Sequence, residues 1–232
     1  FHNEGGMRFV DVTATAGVDG FGFYEDPRGG TTTFACTLSA LFFDWDDDGW
    51  PDLFVGNDYG PYIIPNLLYR NNRDGTFSEI GGSVGFRIRE YNMGLATADV
   101  NGDGLVDLYT TNLGDNHLLL NDGRRLRDAA PQWNATEGRS NGFLLTSWAC
   151  MFLDADLDGR PDLYVSNGFV DTVPALANDP NSPKHLLFNL GNTYAVLPAP
   201  LFPWDSAVGR GAARGDIDGD GDEDLVQLNN RS

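Results

Sequence analysis

At 232 residues, 41% hydrophobic and 21% charged, the chain has the composition of a folded globular protein and the length to bury a sizeable core. A formal charge of −19 argues against nucleic acid or an anionic membrane as partner. No apolar run reaches the roughly 18 residues that a membrane helix needs. The only cysteines, Cys36 and Cys150, exclude a disulfide-stapled miniprotein and a cysteine zinc site. Two repeats apart, they read as buried free thiols, with a bridge as the less favoured alternative.

The first recognisable segment is Phe9–Val18 (FVDVTATAGV), and the residues before it carry no secretory-signal pattern. A strand-like run, Ala40–Phe43, then leads into an Asp-rich loop of nine residues, Asp44–Asp52 (DWDDDGWPD). The same loop returns as Asp99–Asp107 (DVNGDGLVD), Asp154–Asp162 (DADLDGRPD) and Asp216–Asp224 (DIDGDGDED), with starts 55, 55 and 62 residues apart. Each loop is followed at once by Leu53, Leu108, Leu163 or Leu225, and thirteen residues after each start stands Asn57, Asn112, Asn167 or Asn229. Between loops, apolar runs end in Asn: Leu67–Asn71, His117–Asn121 and His185–Asn189. Turns such as Asn72–Gly75 and Asp122–Gly123 follow, then short strands such as Thr76–Ile80. Each unit therefore reads as about four strands, near the length of a propeller blade, and helical periodicity is nearly absent.

More than half of the chain's 34 acidic residues lie inside the four loops, where carboxylates repel one another unless a cation joins them. Calcium takes six to eight oxygens, and this loop offers carboxylate or amide oxygens at positions 1, 3, 5 and 9 with a backbone carbonyl at 7. The expected ligands are Asp44, Asp46, Asp48, Trp50 and Asp52; Asp99, Asn101, Asp103, Leu105 and Asp107; Asp154, Asp156, Asp158, Arg160 and Asp162; and Asp216, Asp218, Asp220, Asp222 and Asp224. About four ions, one per loop, would be bound, the second more weakly because Asn101 removes a charge. Gly at position 6 permits the sharp turn. An EF-hand shares positions 1 to 9 but needs a Glu at 12 and flanking helices. Position 12 here is Val55, Thr110, Val165 or Gln227 and the flanks are strand-like, so the loops are read as hairpin ends. Magnesium, with stricter octahedral demands, is the poorer fit.

With these motifs in place, the chain resembles the FG-GAP/VCBS repeat proteins, and within them the cartilage acidic protein and ASPIC/UnbV-type group. The shared elements are the D-x-D-x-D-G-x-x-D-L loop, the N-x-L-Y-x-N strand and the closing segment seen at Phe9–Val18, with a degraded copy at Phe77–Phe86. The resemblance implies an all-β propeller of four-stranded blades with calcium in the blade loops. It also implies a secreted or cell-surface location, periplasmic if bacterial, and a role in adhesion or assembly. The whole of 1–232 is expected to be one propeller region, with 1–35 as closing strand and lead-in. It would be part of a larger propeller, because the fourth unit lacks strands and Phe9–Val18 belongs to the end of a repeat otherwise missing, and the resemblance implies about seven blades.

Function outside the loops is expected in two insertions, Asp58–Asn66 and Phe169–Lys184, with Tyr59, Tyr62, Asp171 and Asp179 as candidate contacts. Three classes are distinguishable: a non-enzymatic module binding a protein partner; a lectin, stacking sugar on Trp133, Trp148 or Trp204; and a polysaccharide lyase. The last is disfavoured because Lys184 is the only lysine and no catalytic motif is present. For the three tryptophans core packing is the plainer reading. Arg214–Asp216 spells an integrin tripeptide, but Asp216 opens the fourth loop and should turn inward. Asn134–Thr136 and Asn230–Ser232 fit the glycosylation pattern. His117 and His185, at the same repeat position, read as surface residues at strand starts.

Overall fold

Each of the four acidic loops joins two antiparallel strands, as the apolar flanks require. The computed structural model describes residues 1–20, 35–140, 142–170, 183–197 and 207–230. A two-stranded ladder of β1 (His2–Asn3) and β2 (Phe9–Val10) precedes the first unit. That unit is a four-stranded sheet of β3 (Cys36–Phe43), β4 (Asp52–Asp58), β5 (Leu67–Asn71) and β6 (Phe77–Glu79) in sequential order. The second repeats it with β7 (Leu95–Ala98), β8 (Asp107–Thr110), β9 (His117–Asn121) and β10 (Leu126–Asp128). A small hairpin, β11 (Arg139–Ser140) with β12 (Phe143–Leu144), intervenes. The third sheet holds β13 (Ser147–Leu153), β14 (Asp162–Asn167), β15 (His185–Asn189) and β16 (Tyr194–Val196). Among the described residues the fourth unit shows two strands, β17 (Gly209–Gly215) and β18 (Asp224–Asn229), and there is no helix.

The first strands of successive units lie side by side, β3 against β7, β7 against β13 and β13 against β17, so the sheets are arranged as blades of a partial propeller. Alternation along the second strand explains where the core sits. Leu53 and Val55 face the cluster of Ile64, Leu67 and Tyr69, while Phe54 between them joins Phe43, Phe86, Leu108 and Leu119 in the wall shared with the second blade. Likewise Leu108 faces back to the first blade and Tyr109 forward to Leu163, Val165 and Leu187 of the third. Blades are apolar on both faces because each face is an interblade wall. That is why the central strands read as unbroken apolar runs.

Phe9–Val18 docks on the first blade, where Phe77 N–H donates to Ala16 C=O at 2.8 Å. Phe77–Phe86 takes the same place on the second, with Leu126 N–H donating to Val84 C=O at 3.2 Å. Trp133 C=O accepts from Tyr194 N–H on the third at 2.7 Å, so a third copy of the segment exists that its sequence had hidden. In each copy a carboxylate, Asp11, Glu79 or Asp128, accepts the N–H two residues on, which fixes the turn.

The Asn thirteen residues past each of the first three loop starts also finds its reason. Asn57 donates to Pro65 C=O, Asn112 to Asp115 C=O and Asn167 to Pro183 C=O, across sequence separations of 8, 3 and 16 residues. One amide thereby closes the second-to-third-strand connection whatever its length. Near it, Glu90 is buried with its carboxylate accepting from Asn66, Asn92 and Thr110.

His117 and His185 do open strands, but they are half-buried rather than surface residues, and each ring Nδ1 meets a carboxylate, Asp128 or Glu137. His117 lies 3.4 Å from Glu90 and 2.7 Å from Asp128. Desolvation acts on it downward, yet the bond to Asp128 and the charge of Glu90 outweigh that and raise it above its ordinary value. A histidine raised in the folded state stabilises the fold fully below its unfolded value near 6.5, and loses that contribution as pH climbs through the folded value. The melting temperature should therefore fall as pH rises from about 6.5 to 8.5, and His117→Gln should flatten that slope. Parallel slopes in melting curves of the two proteins would refute this role.

Candidate metal centres

The loop geometry is set by two carboxylates that fold the chain around themselves. The carboxylate at position 1 accepts the N–H groups of positions 5 and 6: Asp44 from Asp48 (3.0 Å) and Gly49 (2.7 Å), and Asp154 from Asp158 (3.0 Å) and Gly159 (2.9 Å). Asp99 and Asp216 do the same with Gly104 and Gly221. The carboxylate at position 5 accepts the N–H of position 7, namely Trp50, Leu105, Arg160 and Asp222. Position 6 is glycine at φ between 85° and 97° in every loop, as expected for the tight turn. Position 4 is left-handed as well: Asp47 at 53°, Gly102 at 74°, Leu157 at 59° and Gly219 at 80°.

Position 9 does something sequence reasoning missed. Asp52, Asp107 and Asp162 are fully buried, and each bonds two places that are distant along the chain. One oxygen accepts the N–H of loop position 2, from Trp45, Val100 or Ala155 at 3.0–3.1 Å. The other accepts the N–H of the asparagine ending the third strand, from Asn71, Asn121 or Asn189 at 2.7–2.8 Å. Those asparagines reach further. Asn121 Nδ2 donates to Trp45 C=O in the preceding blade at 2.6 Å, and Asn189 Nδ2 to Val100 C=O in the preceding blade at 2.9 Å. Burial pushes Asp52 and Asp107 up to about 6 against these bonds, and Asp162 upward too.

The carboxylates converge in three loops. Asp44, Asp46 and Asp48 bring one oxygen each to within 4.8 Å of the others, as do Asp154, Asp156 and Asp162, and Asp216, Asp218 and Asp224. These clusters could hold metal ions. Asp46 tests the fit: its Oδ1 is buried with no hydrogen-bond partner, the state of an oxygen suited to a cation. In the second loop Asn101 instead spends its amide on Asp103, at 2.9 Å. Side chains outside the expected set also enter. Arg70 lies 2.7 Å from Asp46, and Arg73 lies 2.6 Å from Asp48 and holds that carboxyl below its usual range. The signal was visible, since Arg70 stands where the other blades have Leu120 and Phe188. Arg160, expected to offer only its carbonyl, also pairs through its guanidinium with Asp158.

Other expected sites sort differently. Asp216 accepts from Gly219 and Gly221 within its loop, and Arg214 pairs with Glu223, so the tripeptide is spent on the hairpin. Trp133 is 8% exposed and packs on Tyr194, which takes it out of any sugar-stacking surface. Trp148 is half-buried beside Tyr91 and Tyr62. Asp171, Asp179 and Trp204 lie outside the described residues. Cys150 is buried, but Cys36 is exposed at the start of β3, where its register partner Asp58 ends β4; the expectation of two buried thiols fails there, and both are free.

Acidic hairpin loops at one end of sequential four-stranded blades define a partial propeller built from acidic-loop repeats. The FG-GAP-like repeat model matches residues 44–110 and 99–165, and the chain belongs to that family. It is similar to cartilage acidic protein 1 of Xenopus tropicalis, 31% identical over 187 residues, covering 75% of this chain and 26% of that protein. Against cartilage acidic protein 1 of Homo sapiens it is 28% identical, covering 97% of this chain and 31% of that protein. The chain thus spans between a quarter and a third of these relatives. Among solved structures, an Agrocybe aegerita lectin described as recognising non-reducing terminal N-acetylglucosamine matches with TM-score 0.45 and 17% identity, over 82% of this chain and 47% of that one. The rhamnogalacturonan lyase PL11 of Bacillus licheniformis matches with TM-score 0.46 and 17% identity, over 86% and 41%. Both likenesses are too loose to carry an argument about function.

Two outcomes follow from the loop geometry. Asn121→Ala and Asn189→Ala should each cost about 2–3 kcal/mol, because buried carbonyls in two blades lose their donor, whereas Asn71→Ala, whose side-chain amide among the described residues donates to Pro51 C=O of its own blade, should cost less. Equal losses in chemical denaturation would refute the interblade role. Leu157→Gly should raise stability by about 0.5–1 kcal/mol by relieving a left-handed side chain. Gly102→Ala, where an added Cβ meets nothing within 4 Å, should lower it by a similar amount for backbone reasons alone.

Proposed function

We propose that this chain is a calcium-braced, non-enzymatic binding module of an extracellular or cell-surface protein, part of a propeller of about seven blades. The observation that carries the reading is the unpartnered, buried Asp46 Oδ1 within carboxylates gathered to 4.8 Å. Oxygen-only, multiply charged sites of this kind suit a hard divalent cation, and calcium tolerates their irregular geometry better than magnesium. The residues that would hold it are those at positions 1, 3, 5 and 9 with the carbonyl of 7. A bound ion would offset the mutual repulsion of each loop's acids and fix the hairpin end that the position-9 aspartate ties to the third strand. A partner would be a protein or a glycan, met by the Asp58–Asn66 insertion at the opposite blade end.

The lyase alternative loses Lys184 as a candidate base, since Lys184 is 4% exposed and its Nζ donates to Ala207 C=O. Of the two described tryptophans named for the lectin alternative, Trp133 is buried and Trp148 is half-buried. No helix among the described residues is long and apolar enough to cross a membrane.

Ion binding to the folded state alone stabilises it by RT ln(1 + [Ca]/Kd) per site, about 2.7 kcal/mol at a hundredfold excess over Kd. Melting should therefore fall by several degrees when EGTA is added and recover on excess calcium but not on equimolar magnesium. An unchanged midpoint would refute the calcium brace.

A further inference from the structure

The end of the first three blades remote from the acidic loops carries an aromatic pocket that the repeat pattern does not explain. β4 starts at the loop carboxylate Asp52 and ends at Asp58, about 20 Å away at the usual rise per residue. There a cavity of about 340 Å³ opens, walled by Asp58, Tyr59, Tyr62, Tyr91, Met93 and Trp148. Tyr59 and Tyr62 are 49% and 56% exposed, so their rings face solvent across the opening. The rings stand at steep angles: Tyr59 to Tyr91 at 68° with centroids 5.8 Å apart, and Tyr62 to Tyr91 at 67° and 6.4 Å. Perpendicular walls make a box rather than a flat platform.

The polar atoms decide what the box suits. Tyr62 and Tyr91 are hydrogen-bonded to each other, and Trp148 Nε1 donates to Gly168 C=O at 2.6 Å. The Trp148 N–H is thus committed, and the Tyr62–Tyr91 bond uses one of those two hydroxyl donors. Asp58 is different: one oxygen takes Tyr59 N–H at 2.8 Å, and no arginine, lysine or histidine among the described residues pairs with it. The arginines of this end are engaged elsewhere, Arg89 with Gly60 C=O and Arg210 with the carbonyls of Gly209 and Phe169. Arg210 also stacks 4.2 Å over the Trp148 ring, so that ring already receives one cation from outside the pocket lining. A partly desolvated carboxylate with no cationic partner among the described residues, set among π-faces that carry negative potential, favours a positive charge carried on an organic stem. The chain's net charge of −19 draws the same class of ligand.

We propose that the pocket of Asp58, Tyr59, Tyr62, Tyr91, Met93 and Trp148 is an ammonium-binding site that receives a basic side chain of a protein partner. The aromatic rings enclose the cation's alkyl surface and Asp58 supplies the opposing charge. This inference rests on the partner-binding reading of the chain. It is separable from the calcium brace, whose test is thermal stability with chelator and does not involve this end of the blades.

The experiment uses choline as probe on the calcium-loaded protein, following the Trp148 indole N–H by NMR, with sodium chloride at matched ionic strength as baseline. Choline should bind saturably in the millimolar range and about fivefold or more tighter than its uncharged isostere 3,3-dimethylbutan-1-ol. Asp58→Asn and Tyr62→Leu should each weaken choline by about fivefold with unchanged melting temperature. Should Tyr62→Leu lower the melting temperature, Tyr59→Leu provides the same reading from the other exposed wall. Equal binding of the isostere would make the pocket merely apolar, and preferential binding of N-acetylglucosamine would make it a sugar site. Either result, or no saturable shift with choline at 100 millimolar (about a hundred times a millimolar Kd), overturns the proposal.

Discussion

A carboxylate can be kept in a protein interior only when its oxygens meet donors, and the position-9 aspartates are held by that condition. Asp52, Asp107 and Asp162 each satisfy it with one N–H from the loop and one from the third strand. The consequence is that loop, second strand and third strand cannot move independently. Through Asn121 and Asn189 the constraint passes to the blade before, so hairpin closure and blade spacing are set by one hydrogen-bonded joint. The apolar walls fill the space that this joint defines.

That joint also explains how the charge of the loops is distributed. Position 9 is buried in the first three loops and half-exposed in the fourth, while positions 1, 3 and 5 lie nearer the surface; in the third and fourth loops the position-9 carboxylate still comes within 4.8 Å of positions 1 and 3. The first loop differs in carrying guanidinium groups of its own, from Arg70 and Arg73, against Asp46 and Asp48. The four loops are therefore unequal electrostatically although nearly equal in pattern. An ion entering the first meets positive charge already in place, and one entering the second finds an amide where the others offer a carboxylate.

Much of the architecture was legible because a single spacing was repeated. Four loops in one register, with Leu next and Asn at a fixed offset, gave strands, hairpins and blade length together. The absence of an acid at position 12 separated the loop from a helical calcium site. Less legible was anything depending on contacts between units. The tie from Asn121 to Trp45 spans 76 residues, which no local pattern reports. The third closing segment was hidden because Asp128–Ala135 keeps only the turn's capping carboxylate and exchanges the rest of the motif. Cys36 was misjudged because sequence alone did not place it at an open strand start. The aromatic box escaped because Tyr59 and Tyr62 come from one blade, Tyr91 from the lead into the second, and Trp148 from the third.

The amide of Asn57, Asn112 or Asn167 grips the far end of its connection after 8, 3 or 16 residues and leaves both adjoining strands in the same register. Such a joint separates the evolution of the framework from that of its decorations. Peptide segments can lengthen, shorten or change chemistry between the grip and the strand without retuning the blades on either side. A chain of this kind is well suited to acquiring new recognition by insertion, and a designer could graft foreign loops at the same three places and expect the wall of each blade to stand.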